Sequence, residues 1–104
     1  MVTELVVLPK SAQNILQRLT GQSRPDIALS LALKDLVRLR LDETQTRIKE
    51  FEKKYGMTFS KFQAAWENGQ IKDPYSYDVE KDDFEWEAAI SDRTVLEEIS
   101  QWLI

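Results

Sequence analysis

The chain has 104 residues, 42% of them hydrophobic and 31% charged, a balance that suits one small globular core and is too short for two. It contains no histidine and no cysteine, which removes the commonest general base, imidazole and thiolate metal ligands, and any disulfide framework. The formal net charge of -4 is unevenly spread: residues 1–56 hold ten Lys or Arg against seven acids, +3, and residues 57–104 hold four against eleven, -7.

No run approaches the roughly 18 apolar residues of a membrane span. The N-terminus has no basic stretch leading into an apolar core, so no signal peptide is expected. With cysteine absent, the expected compartment is the cytoplasm. The two halves suit partners of opposite sign, a polyanion for the first and a basic surface for the second; ordinary uneven surface charge is the other reading of the +3.

In chain order, Thr3 to Leu8, "TELVVL", is short, apolar and β-branched, and Pro9 ends it: it reads as a strand. Pro9 suits the first turn of a helix, with Ser11 as an alternative cap, and Ala12, Ile15, Leu16 and Leu19 follow at helical spacing up to Gly21. Ser23 is expected to cap a long helix from Pro25 to Tyr55, with Asp26 in its first turn, Lys49, Lys53 and Lys54 near its end and Gly56 as its stop. Leu29, Leu33, Leu36 and Val37 form one stripe of that helix, with Leu31, Ala32 and Leu39 off it. The apolar arc is wider than one small chain covers, so a second copy is the expected cover.

Thr58 caps the next helix, on which Phe59, Phe62 and Trp66 share a core-facing stripe ended by Gly69. Tyr75, Tyr77 and Val79 alternate in a short extended piece. From Asp82 to Ile104 the pattern is helical, with Phe84, Ala88, Val95, Ile99 and Trp102 near one face, and Thr94 with Glu97 as a capping box that would split it in two. The expected fold is therefore mainly α: a short N-terminal strand followed by four or five helices. It divides into a dimerisation part at 1–56 and an acidic partner-binding part at 57–104.

A lone strand needs a hydrogen-bonding partner, either the same strand of a second chain or the Tyr75–Val79 segment. The order strand, helix, Gly-containing turn, longer helix, and the stretch "TGQSRPDIALSLALKDL" at 20–36, resemble the ribbon-helix-helix family. The resemblance spans about half of the chain. It implies an intertwined homodimer with paired N-terminal strands, giving Leu5, Val7, Leu29, Leu33, Leu36 and Val37 as dimer-interface residues. It also implies operator DNA as a partner, with a backbone phosphate held at Gln22, Ser23 and Arg24 and groove reading by Val2, Glu4 and Val6, or by Thr3 and Leu5. The strand departs from the family pattern here, because it offers a carboxylate and apolar side chains where polar readers are usual. Arg18, Arg24, Lys34, Arg38 and Arg40 are left as phosphate contacts or as solvated charges.

"KYGMTFSKFQ" and "DDFEWEAA" resemble segments of small prokaryotic antitoxin-like proteins. That resemblance implies an acidic C-terminal part wrapping a basic toxin. The stretch 78–89 holds six acids, one base and two large aromatics. In a partner-binding reading, Phe84 and Trp86 are anchors and Asp78, Glu80, Asp82, Asp83, Glu85 and Glu87 pair with bases. In an intramolecular reading, Asp82 and Asp83 cap the last helix and Phe84 packs under Phe62 or Trp66. Phe84 and Trp86 point about 200° apart on a helix, so both cannot enter one flat core face.

Asp83 and Glu87 lie one helical turn apart, a spacing open to acid–base or Mg²⁺ chemistry, but no nucleophile–base set accompanies them. The expected function is non-catalytic and needs no cofactor or metal: an antitoxin-like homodimer, or else an oligomeric protein-interaction module without DNA binding.

Overall fold

The computed structural model describes residues 7–103. Among them are four helices: α1 (Lys10–Thr20), α2 (Pro25–Tyr55), α3 (Phe59–Glu67) and α4 (Tyr77–Trp102). No strand occurs among the described residues, so the strand-plus-helices fold with its ribbon-helix-helix dimer is corrected to an all-α arrangement. Of the expected strand, Thr3, Leu5 and their neighbours up to Val6 lie outside the described residues; Val7 and Leu8 are irregular. The backbone there is used by α1 instead: Leu8 O accepts from Gln13 Nε2 at 2.9 Å and Pro9 O from Gln13 N at 3.0 Å. The alternative strand partner is absent too, because Ser76 caps α4 and draws Tyr77 and Val79 into its first turn.

Punctuation residues set most boundaries. α2 begins with Pro25 in its first turn and Asp26 behind it, and ends at Gly56, whose φ of 67° is the left-handed conformation that closes a helix without Cβ strain. Its N-cap position is Arg24 rather than Ser23, and no side chain caps it. A proline disfavours helical dihedrals in the residue before it, which places Arg24 in extended backbone. Thr58 Oγ1 accepts from Lys61 N at 3.4 Å to open α3. α4 starts five residues before the expected Asp82 and runs unbroken through 91–94. Thr94 caps nothing; its hydroxyl donates back to Ile90 O at 3.2 Å within the helix.

α4 runs back along α2, and α1 folds against the first half of α2. The clustered part of the core is aromatic and lies at one end, where α3 closes the pair; Ile48 and Ala89 are buried between α2 and α4, and Ala28 is buried near the start of α2. Trp86 stacks with Phe51 and Tyr55 at ring-centroid distances of 5.6 and 5.7 Å and lies 5.2 Å from both Phe59 and Phe62. Met57, Trp66, Ile71, Val79 and Ile90 surround this cluster. It draws Phe51 and Tyr55 from the first half of the sequence and Phe62 and Trp86 from the second, so the halves share one core. The molecule is long, 57 × 31 × 20 Å, with a radius of gyration of 19.9 Å where a compact chain of this length has about 13 Å.

Candidate protein-binding surface

The register of α4 on α2 is fixed by a polar junction beside the aromatic core. Asp82 Oδ2 accepts from Lys54 Nζ and from Tyr55 OH, both at 2.5 Å. Burial pushes the Asp82 carboxyl up, but the Lys54 and Tyr55 hydrogen bonds and the Lys54 charge outweigh it and hold the carboxyl below its usual range. Burial, then the bond to Asp82, drives the Tyr55 phenol well above its ordinary value. The Lys54 ammonium is raised by its bond to Asp82. One turn further on, Arg47 Nη2 donates to Glu85 Oε2 at 2.8 Å.

This junction sorts the acidic stretch. Asp82 and Glu85 are occupied within the chain. Trp86 is fully buried at 0% exposure, and its Nε1 has no hydrogen-bond partner. Trp86 is thus core and not a partner anchor, whereas Phe84 is 73% exposed and packs under neither Phe62 nor Trp66. Asp82 and Asp83 do not cap the helix, which has already run for a turn before them. Asp83 is half-buried near Gln63, Trp66 and Glu67. Burial and then Glu87, one turn on, raise its carboxyl. Among the described residues no group of three or more acidic side chains is arranged to hold a metal ion.

Rotating outward from Trp86 exposes a second apolar face of the same helix. Phe84, Ala88, Val95, Ile99 and Trp102, expected near one face of the helix, all face solvent. Their spacings of four, seven, four and three residues keep them on one side of a helix over about 27 Å of its length. Tyr77 continues the line at the helix start and is exposed as well. Glu80, Glu87 and Glu98 run along one flank and Asp92 lies on the other, all exposed. A shallow groove of about 290 Å³ lies between α2 and α4 beside Phe84 and Ala88, bordered by Glu43, Arg47, Glu85 and Asp92. The spacing in the sequence shows the stripe and does not say which way it faces. The flanking acids were the available sign, since a helix side rich in Glu is rarely buried.

The first half of the chain presents a different surface. Leu33, Leu36 and Leu39 of α2 and Ile15 and Leu19 of α1 are exposed, while Leu29 and Val37 are partly covered. Gln22, Ser23 and Arg24 are exposed in the α1–α2 turn, but Arg24 is paired with Asp26 at 2.8 Å. Arg38 and Arg40 are likewise paired, with Asp35 and Glu43. These surface pairs add little stability, yet they place carboxylates where a nucleic-acid phosphate would have to approach. Val7 is exposed ahead of α1.

Among the described residues, no helix is long and apolar enough to cross a membrane. Comparison of the chain with known protein families, with curated proteins and with solved structures returned no match.

Proposed function

We propose that this chain is a non-catalytic, antitoxin-like binding protein whose helix α4 seats a basic protein partner. The observation that carries this reading is the outward stripe Phe84, Ala88, Val95, Ile99 and Trp102, lined by Glu80, Glu87, Asp92 and Glu98. Exposed aromatics supply the buried anchors of an interface, and carboxylates along the rim steer Lys and Arg into register. α4 as a whole carries nine acids and two bases. A helix with that charge, already anchored on its other face by the aromatic core, offers a rigid edge to a positively charged surface at little ordering cost. DNA binding forms no part of this reading, since Arg24, Arg38 and Arg40 of its candidate phosphate contacts are paired with carboxylates.

The test is co-expression with the product of the adjacent reading frame. A small basic neighbour that arrests growth alone should be neutralised by this chain and co-purify with it. Val95→Lys/Ile99→Lys should abolish both effects while leaving the melting temperature of the isolated chain within a few degrees. A double variant that protects as well as the wild type, or a neighbour that is neither basic nor inhibitory, overturns the reading.

A further inference from the structure

We propose that two copies of this chain associate side by side through the outward leucine face of the first half of α2, centred on Leu29, Leu33 and Leu36. The interface is made of helices, without strand exchange, and does not depend on the partner assigned to α4.

The first support is the face itself. Leu29, Leu33 and Leu36 recur at spacings of four and three, which aligns them on one side of a helix. Leu33 and Leu36 remain 41% and 47% exposed, and Leu39 beside them 53%. Helix α1 does not cover them; it has no buried residue of its own and leaves Ile15 and Leu19 exposed.

The second support is area. The chain exposes 8344 Å², whereas a folded monomer of this mass exposes about 6000 Å². Half of that difference already exceeds the roughly 800 Å² per partner of a standard interface. That excess is spread over the whole elongated chain, and it leaves room for a standard interface on α2 with α4 still open.

The third support, charge, selects the occupant. A twofold interface sets a patch against its own copy, so the patch must tolerate itself. Residues 24–43 of α2 and its cap hold four bases and four acids and are neutral. The α4 face fails the same condition, because pairing it with itself would set its flanking Glu80, Glu87, Asp92 and Glu98 against an identical array. Self-association therefore belongs to α2 and a basic partner to α4.

Sedimentation velocity over a micromolar to hundred-micromolar series tests this. The wild type should sediment at twice the 12.1 kDa chain mass. Leu33→Glu/Leu36→Glu should weaken association on the order of 100-fold, since it places two carboxylates in a dry interface. The near-UV circular dichroism of the Phe51–Phe62–Trp86 cluster, at the other end of the molecule, should persist. Val95→Lys should leave the mass doubled. The chain has no native cysteine, so Leu33→Cys and Leu36→Cys give a second readout that does not burden folding: mild oxidation should crosslink at least one of them, and Val95→Cys should stay uncrosslinked. A wild type that is monomeric throughout, a doubled mass in the Glu variant, dissociation by Val95→Lys, or failure of both α2 cysteines to crosslink overturns the proposal.

Discussion

Truncating Trp86 to alanine separates the two large aromatics of the acidic stretch. The indole is fully buried and lies within 5.2–5.7 Å, centroid to centroid, of Phe51, Tyr55, Phe59 and Phe62. Removing it takes about 150–200 Å² of apolar surface out of the core, which at about 25 cal/mol per Å² is roughly 4–5 kcal/mol. The cavity left among four rings relaxes only in part, consistent with the 3–5 kcal/mol typical of large-to-alanine core changes. A chain of this size has about 5–15 kcal/mol of total stability, so the melting temperature should fall by at least about 15 °C. Phe84→Ala, two residues away and 73% exposed, should change stability by no more than about 0.5 kcal/mol. Thermal melts followed by circular dichroism at matched protein concentration give both values. A Trp86→Ala variant melting within a few degrees of the wild type, or a Phe84→Ala variant falling as far, would refute the assignment of inner and outer faces on α4.

The polar junction predicts loss of stability at both ends of the pH scale. Because the Asp82 carboxyl is held down in the fold, its contribution is present above pH about 4 and is lost as pH falls through the folded value. Acid melts of the wild type should show that loss, and Asp82→Asn should be about 1–2 kcal/mol less stable at neutral pH and flatter in acid, the cost moderated by the 56% exposure of the Lys54 side chain. The Tyr55 phenol is raised, so its contribution is present below pH about 10 and lost above it; Tyr55→Phe should remove that alkaline loss in the same melts. At Gly56, a Cβ would meet nothing within 4 Å, but φ is +67°; Gly56→Ala should therefore cost only the backbone strain, about 1 kcal/mol, read as a lower urea midpoint with an unchanged slope.

Local chemistry made much of this chain legible, and tertiary choice hid the rest. Pro25, Gly56, Thr58 and Gly69 act on their own backbone, so the limits of α2 and α3 could be read without knowing what they pack against. The Phe59, Phe62 and Trp66 stripe reads as core from its helical spacing alone, and these rings do pack in or against the buried cluster. "TELVVL" carried a strand pattern, but a strand is completed only by a distant partner, and Val7 and Leu8 lead directly into α1. The alternation of Tyr75, Tyr77 and Val79 likewise concealed a cap, the bond from Val79 N to Ser76 Oγ at 3.4 Å. The faces of α4 were the hardest part. Apolar residues occur on both of its sides, and periodicity does not say which is inside. The choice is made by Lys54 and Tyr55, 28 and 27 positions before Asp82, which draw that acid and Trp86 inward. The divergence of Phe84 from Trp86 was visible as geometry, without showing which ring goes in.

The absence of any buried residue in α1 has a consequence for the lifetime of the protein. Its eleven residues can detach without opening the aromatic cluster, which belongs to α2, α3 and α4. Unfolding is then graded along the long axis: the N-terminal helix opens at low cost, and the cluster opens only with the whole fold. A protease that cuts within an opened α1 acts on a molecule whose aromatic cluster is still native. Anything that holds the N-terminal third closed would lengthen the residence of the chain in the cell without adding a single contact to its core.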